Sequence, residues 1–185
     1  MTEDQFWQII ETSRAAALEE QGETYSEDDL FDAHLATLQG ELSKLSGVEL
    51  GAFITLFQQK KIDAYRWDLW GVTYWLFGGC GDDSFSDFRS NLISLGRSVF
   101  ETAISNPDQL AATMQREDLP YMLSEGFQNV AFDVAEEQGV SEEGLAFPRY
   151  PSDPAGEDFD FDDHAEMARR YPQLLAAFPD SGELG

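Results

Sequence analysis

Residues 65–77, YRWDLWGVTYWLF, carry large apolar side chains on nearly every side of the helix that they would form. These side chains belong to Tyr65, Trp67, Leu69, Trp70, Val72, Tyr74, Trp75, Leu76 and Phe77. A helix that is apolar nearly all round lies at the centre of a packed protein, because none of its sides can face water. We therefore expect a buried aromatic helix that begins near Asp63, with the rest of the chain packed around it.

Apolar residues at helical spacing occur on both sides of this segment. After it, steps of three and four residues predict one amphipathic helix from Asp83 or Ser84 to Ile104. Its apolar positions are Phe85, Phe88, Leu92, Leu95, Val99 and Ala103. Similar patterns predict helices over residues 2–18, 26–42, 46–61 and 119–138. Thr2 and Ser46 precede two of these helices and are expected to cap them.

The chain of 185 residues is 42% hydrophobic, which is enough to bury one core in one domain. We expect an all-α, single-domain helical bundle of about six to eight helices. After residue 138, prolines and acidic residues accumulate and the periodicity fades. Residues 1–138 are therefore predicted to form the helical bundle core. Residues 139–185 are predicted to form an irregular acidic arm whose short closing helix packs on the same domain.

The charge of the chain limits its partners. Eleven Lys and Arg residues against 36 Asp and Glu residues give a formal net charge of -25. Such a surface repels phosphate backbones and anionic lipids, so we expect no direct binding to nucleic acid or to a membrane. A basic protein is the partner that this surface would attract. An acidic start, the lack of an apolar tract of about 18 residues and a single cysteine predict a cytoplasmic protein.

The stretch LFGGCGDDSF, residues 76–85, joins the aromatic segment to the next predicted helix. Gly78 and Gly79 are expected to end the first helix. Asp82 and Asp83 allow two interpretations. One of them, or Ser84, caps the next helix while another pairs with an arginine; alternatively, the two carboxylates bind a divalent metal or one acts as a general base.

Arg89 and Arg97 are the arginines close enough in sequence to pair with these aspartates. At about 100° per residue, Arg89 lies about 40° from Phe85 around the helix and therefore beside the apolar stripe. A cation in that position needs a partner, because an unpaired buried charge is costly. Arg97 lies on the flank of the same predicted helix, where it reaches solvent more easily.

Other chemically active residues do not form a recognisable set. Cys80 would need a base close by to act as a nucleophile, and His34 and His164 are both far from it in sequence. The sequence therefore predicts no catalytic residue and no cofactor.

A calcium loop of the EF-hand type is excluded by the residues at two of its required positions. Asp158, Asp160 and Asp162 alternate as in such a loop, but Asp163 stands where the loop needs glycine and Arg169 where it needs glutamate. No set of metal ligands is predicted.

Two functions follow from these observations. The first is a non-enzymatic protein–protein interaction module with an acidic surface. The second is a metal- or anion-dependent enzyme, or a small-ligand sensor, that uses a pocket at the Gly-Asp-Asp elbow. The residues of that pocket, or of a partner-binding site, would be Trp70, Tyr74, Asp82, Asp83, Arg89 and Arg97. Because no complete catalytic set is visible, the interaction module is our leading hypothesis. The sequence does not specify an oligomeric state.

Two stretches of the chain resemble a known family. They are FWQIIETSR at residues 6–14 and LWGVTYWLFGGCGDDSFSDFRSNLISLGRSVFETAISNPDQLA at residues 69–111. Together they are similar to the bacterial domain-of-unknown-function family numbered 4240, and the likeness covers about residues 1–125. The resemblance implies a bacterial protein with a helical bundle fold. It implies no activity.

Overall fold

The structure is a computed structural model, and it describes residues 1–21, 27–114, 116–141 and 145–179. These residues form ten α-helices and two short 3-10 helices, at Pro107–Gln109 and Arg116–Tyr121. The α-helices are α1 (Glu3–Gln21), α2 (Glu27–Leu42), α3 (Gly47–Asp63), α4 (Trp67–Phe77), α5 (Asp82–Ser94), α6 (Arg97–Ser105), α7 (Leu110–Thr113), α8 (Val130–Glu137), α9 (His164–Arg170) and α10 (Pro172–Ala177). No strand occurs within these ranges, which confirms the all-α class.

The helices enclose one hydrophobic core. Helix α1 packs mainly on α2 and also touches α3 and α5, while α8 lies against α2 and α3. Phe6, Trp7 and Ile10 of α1 are buried in this core, as are Leu69 and Val72 of α4. Among the described helices, none is long and apolar enough to cross a membrane.

Several helix ends follow the predicted local chemistry. The hydroxyl of Thr2 accepts from the backbone N–H of Gln5 at 3.2 Å. Ser46 and Glu49 form a reciprocal capping box at the start of α3. Gly78 ends α4 in the left-handed conformation, with φ of 68°. These predictions are confirmed because capping depends on residues that are close in sequence.

The helix count exceeds the prediction because two predicted helices are broken in two. The helix expected from residue 83 to 104 is broken at Gly96, whose φ of 92° cannot continue a helix, so it becomes α5 and α6. The closing helix is divided into α9 and α10 at Pro172, whose nitrogen has no hydrogen to donate to the preceding turn.

Two predicted helix starts are wrong. Asp63 does not cap α4, because α3 continues to Asp63 and the N-cap of α4 is Arg66. The helix expected over residues 119–138 begins only at Val130. Before it, Pro120 lies in a 3-10 helix and Gly126 has a φ of 120°.

The C-terminal part of the chain packs on the helices that precede it. Within the predicted arm of residues 139–185, residues 145–163 contain no helix. From here on, the arm means residues 145–163. After the arm, the buried carboxylate of Asp108 accepts from the backbone N–H groups of Gln173 and Leu174, both at 2.9 Å, at the start of α10. The indole N–H of Trp75 donates to the carbonyl of Phe178 at 2.8 Å. These bonds attach α10 to the helical body.

Candidate functional site

The elbow between α4 and α5 is a backbone turn with exposed acidic residues. Gly81 is the N-cap of α5 and no side chain caps it, so the prediction that Asp82, Asp83 or Ser84 would do so is wrong. Asp82 and Asp83 occupy the first turn of α5 and are exposed to solvent. Their negative charges there interact favourably with the positive end of the helix dipole.

Trp70 supports the elbow from inside. Its indole N–H donates to the carbonyl of Cys80 at 2.8 Å. Its ring stacks on Trp67 at 5.5 Å and on Phe85 at 4.7 Å between centroids. Trp70 therefore links α4, the turn and α5, and only 9% of its surface is exposed.

Tyr74 lies one turn further along α4 and contacts the arm. Its hydroxyl donates to the carboxylate of Asp162 at 2.9 Å, and its ring lies 5.4 Å from that of Phe161. The bond to Asp162 is the largest cause of the raised pKa of Tyr74. The side chain of Tyr74 is therefore engaged by the C-terminal part of the chain.

Arg89 is buried, as its position beside the apolar stripe predicted. Its Nε donates to the carbonyl of Phe85 at 3.2 Å, and its Nη1 donates to the carbonyl of Lys61 at 3.0 Å and to the hydroxyl of Tyr150. The guanidinium carbon lies 4.7 Å from the ring centroid of Tyr65 and 5.0 Å from that of Phe85. Carbonyl oxygens and aromatic faces therefore stabilise this cation.

The predicted ion pair between Arg89 and Asp82 or Asp83 is wrong. Within the described ranges, no carboxylate forms an ion pair with Arg89. The two aspartates begin α5 on its outer side, whereas Arg89 projects inward toward α3 and the arm.

Lys61 is a second buried cation beside Arg89 that the sequence analysis missed. Its Nζ donates to the hydroxyl of Ser86 at 3.0 Å and to the side-chain oxygen of Gln128 at 2.5 Å. Gln128 in turn donates to the carboxylate of Asp87 at 3.1 Å. Burial and the charge of Arg89 lower the pKa of Lys61 to about 8, while Asp87 opposes this change.

The spacing of α3 contained a signal for Lys61. Leu50, Phe53, Ile54 and Phe57 form the buried face of this helix, and Lys61 follows Phe57 by four residues. Residues four apart lie on the same helix face, so the position of Lys61 could have been read as buried.

Arg97 does not belong to the elbow. It is the first residue of α6 and pairs with Asp4 at 2.8 Å and Glu101 at 2.6 Å. Helix α5 has 13 residues, so its two ends are about 20 Å apart. Of the six predicted site residues, Trp70 and Arg89 face the interior, Asp82 and Asp83 face solvent, Tyr74 faces the arm and Arg97 lies at the far end of α5.

The geometry offers little support for nucleophilic or metal chemistry at the elbow. Burial raises the pKa of the Cys80 thiol to about 12, so it is not ionised near neutral pH. His34 contacts Ser13 at 3.0 Å between α1 and α2, and His164 lies 5.2 Å from the ring of Trp75. In the part of the chain that the structure describes, no three His, Cys, Asp or Glu residues are grouped to hold a metal ion.

Five surface cavities of the described residues lie away from the elbow. One of about 430 Å³ lies between α3 and residues Val140, Ser141, Leu145 and Ala146, and another of about 300 Å³ lies between the start of α1 and residues 41–49. Three further cavities have volumes of about 50, 370 and 210 Å³. None of these five is lined by any of the six predicted site residues.

The family model described as "Protein of unknown function (DUF4240)" matches residues 1–137, in agreement with the resemblance seen in the sequence. No curated protein and no solved structure matches the chain.

Proposed function

The chain belongs to the DUF4240 family of proteins of unknown function, and we propose that this member is a non-enzymatic protein–protein interaction module that binds a basic protein. The observation that carries this proposal is the exposure of Asp82 and Asp83, two adjacent carboxylates that no cation of the described chain pairs with.

The distribution of the cations supports this function. The chain has 11 basic residues for 36 acidic ones. In the ranges that the structure describes, ion pairs with carboxylates of the same chain already engage Lys44, Lys60, Arg66, Arg97, Arg169 and Arg170. Lys61 and Arg89 are buried. Few cations are left to balance the remaining carboxylates, so a basic partner would be attracted over a long range.

The acidic side of the elbow is the part of this surface that we assign to the partner. We call the exposed residues Asp82, Asp83 and Glu125 the elbow face. Asp87 next to them is buried. Its pKa is raised, first by burial and then by the negative charges of Glu125 and Asp83, although Lys61 partly opposes them. Negative charge is therefore concentrated here, and a lysine or arginine of a partner beside Asp83 and Glu125 would relieve the repulsion.

The turn beneath the elbow face gives these charges a fixed position. Trp70 holds the carbonyl of Cys80, and Phe85 of the first turn of α5 stacks on Trp70. A partner therefore meets carboxylates on a rigid helix end, which lowers the entropy cost of binding.

A defined cationic probe tests the proposal. A fluorescent peptide of ten lysines is titrated with the wild-type chain and with the double variant Asp82→Asn, Asp83→Asn, and binding is followed by anisotropy. Two charges at the contact contribute about 1 to 2 kcal/mol at low salt, so we expect about fivefold or more weaker binding by the variant. The difference should shrink strongly at 0.5 M salt.

The matched control removes the same number of charges from another place. The start of α1 is the end nearer to the elbow, because Glu3 there pairs with Lys60, and the next residue, Lys61, bonds to Ser86 of α5. Glu19 and Glu20 are exposed near the other end of α1. The two ends of this 19-residue helix are about 27 Å apart. The double variant Glu19→Gln, Glu20→Gln should therefore bind almost as the wild type does.

Two results would overturn the proposal. Equal weakening in both double variants would mean that only the net charge attracts the peptide. A stoichiometric calorimetric titration with Mg²⁺ or Ca²⁺ that is lost in the Asp82→Asn, Asp83→Asn variant would favour the metal-dependent alternative.

A further inference from the structure

The arm lies on the helical body as an extended peptide would. The backbone N–H of Trp67 donates to the carbonyl of Ala155 at 3.0 Å, and the N–H of Ala155 donates to the carbonyl of Tyr65 at 2.8 Å. This is a bridge of the parallel β type, in which the body supplies one donor and one acceptor to a passing chain. Extended peptides commonly bind proteins by such backbone bonds.

Three aromatic side chains of the arm pack on the body, and two of them, Phe159 and Phe161, also contact each other at 4.9 Å between ring centroids. Tyr150 lies 5.2 Å from the ring of Tyr65, and its hydroxyl accepts from Arg89. Phe161 lies between Trp67 and Tyr74, at 6.2 and 5.4 Å from their rings. The third aromatic residue is Phe159, which packs on α4 itself.

Gly71 provides the position for Phe159. A Cβ atom at Gly71 would lie 2.7 Å from Cζ of Phe159, which is too close for two carbon atoms. The missing side chain therefore leaves a notch on α4 that the ring fills. By contrast, a Cβ at Gly79 or Gly81 of the elbow would meet no atom within 4 Å.

Two polar contacts involve acidic residues of the arm. The acidic residues of the arm are Asp153, Glu157, Asp158, Asp160, Asp162 and Asp163. Arg170 pairs with Glu157 at 2.8 Å, and its guanidinium carbon lies 4.1 Å from the ring centroid of Phe159. Arg89, which no carboxylate pairs with in the described ranges, lies at the Tyr150 end. In the described ranges, the carboxylates of the arm therefore meet one donor of the body, the hydroxyl of Tyr74 at Asp162, and one arginine of the helix that follows the arm.

The body side of this contact and its occupant belong to different parts of the chain. The groove residues Tyr65, Trp67, Gly71, Tyr74 and Arg89 lie within the family match, residues 1–137, whereas the arm lies after it. The groove has the same donors, notch and rings whichever chain the occupying segment comes from.

We propose that these five groove residues form a docking site for an extended acidic segment of another protein that carries aromatic side chains, and that the arm is its intramolecular occupant. The partner segment binds when the arm leaves. Because the arm is tethered, its effective concentration at the groove is high, and it keeps the groove closed to weak competitors.

The test uses the full chain with a weakened arm. The release variant carries Tyr150→Ala, Phe159→Ala and Phe161→Ala, and the probe is a fluorescent peptide with the sequence of residues 145–163. We expect the peptide to bind the release variant about tenfold or more tightly than the wild type, whose own arm competes. Adding Gly71→Ala to the release variant should weaken peptide binding about fivefold or more, because the methyl group fills the notch for Phe159.

The controls separate groove binding from general attraction. Phe147→Ala changes an arm residue that stacks on Phe132 at 6.3 Å, outside the groove, and should leave peptide binding as in the wild type. A peptide in which the residues corresponding to Tyr150, Phe159 and Phe161 are alanines should not bind. Equal affinity for the wild type and the release variant, or no effect of Gly71→Ala, would overturn the proposal.

A second measurement covers a release variant that fails to fold. In the otherwise wild-type chain, Gly71→Ala should raise hydrogen exchange at the amides of Trp67 and Ala155 about tenfold while the amides of α1 exchange as before. Unchanged exchange at both amides would overturn the proposal. A wild-type dimer that the release variant loses in sedimentation would also overturn it, since the segment would then come from a second copy.

Discussion

Arg89, in the middle of α5, and Arg97, just after its end, are held in opposite ways. Arg89 is buried and bonds to the carbonyls of Phe85 and Lys61 and to the hydroxyl of Tyr150, with no ion pair in the described part of the chain. After its end, Arg97 is 42% exposed and pairs with both Asp4 and Glu101. Arg97 thus has the better ionic partners and Arg89 has the drier environment.

This difference shows that the environment, rather than the number of ion pairs, decides what a charge contributes. Water competes for the exposed guanidinium of Arg97 and salt screens it, so its pairs add little to stability. The guanidinium of Arg89 has lost its water, so each neutral acceptor and each aromatic face around it matters more. Four substitutions test this contrast, and two of them are compared with the wild type at several pH values.

The largest effect is expected for Arg89→Ala. The change removes the cation from the rings of Tyr65 and Phe85 and leaves the buried carbonyl of Lys61 without that donor. We expect a loss of about 2 to 4 kcal/mol in the free energy of unfolding, measured by urea denaturation at pH 7. A denaturation midpoint equal to that of the wild type would refute the view that the buried contacts of Arg89 stabilise the fold.

His34 tests the same principle with a buried group that stays neutral. Burial lowers the pKa of His34 from 6.5 to about 3. As the pH falls, the imidazole is therefore protonated in the unfolded chain before it is protonated in the folded chain. The contribution of neutral His34 to the free energy of unfolding is complete above pH 6.5 and is lost toward pH 3, by about 1.4 kcal/mol per pH unit.

The variant His34→Gln isolates this contribution from that of the many carboxylates. We expect the variant to have a lower free energy of unfolding than the wild type at pH 7. This difference should shrink by about 2 to 3 kcal/mol between pH 6.5 and 4.5, because only the wild type loses stability when the histidine of its unfolded chain is protonated. Denaturation curves at several pH values measure the difference. A deficit that stays constant over this range would contradict a buried neutral histidine.

Lys61 is expected to give an intermediate effect at alkaline pH. Its pKa falls from 10.5 to about 8 on folding, so the unfolded chain binds more protons between these values and stability rises with pH in this window. Relative to Lys61→Met, the wild type should gain about 1 to 2 kcal/mol from pH 8 to pH 10. A constant difference would mean that Lys61 is solvated and not buried beside Arg89.

The smallest effect is expected for Arg97→Ala. The side chain is exposed, so loss of its pairs with Asp4 and Glu101 should change the urea midpoint far less than Arg89→Ala does. Any difference from the wild type should disappear at 0.5 M salt. An effect as large as that of Arg89→Ala would remove the contrast between Arg89 and Arg97.

Much of the architecture follows from patterns that are local in the chain. The apolar spacing of residues 85–103 placed Arg89 beside the buried stripe, and capping signals located the starts of α1 and α3 and the end of α4. The errors came where one residue outweighs the pattern. At Gly96 and Pro172 the backbone breaks helices that apolar periodicity alone would continue.

The candidate site was less predictable. Trp70 and Arg89 are close to the elbow as expected, but Tyr74 faces the arm and Arg97 lies about 20 Å away at the other end of α5. Lys61 was missed although it continues the buried face of α3. A charged residue at an apolar position is easily taken for a surface residue when its neighbours in space are unknown.

The helical class and the strongly negative net charge can both be read from the chain, because they depend on composition and on neighbours within a few residues. The partners of Arg89 cannot be read in this way, since Lys61 and Tyr150 are 28 and 61 residues away in sequence. Packing brought these groups together, and with them the groove that the arm occupies. Long-range neighbours follow from how helices pack in space, which the spacing of residues along one helix does not contain.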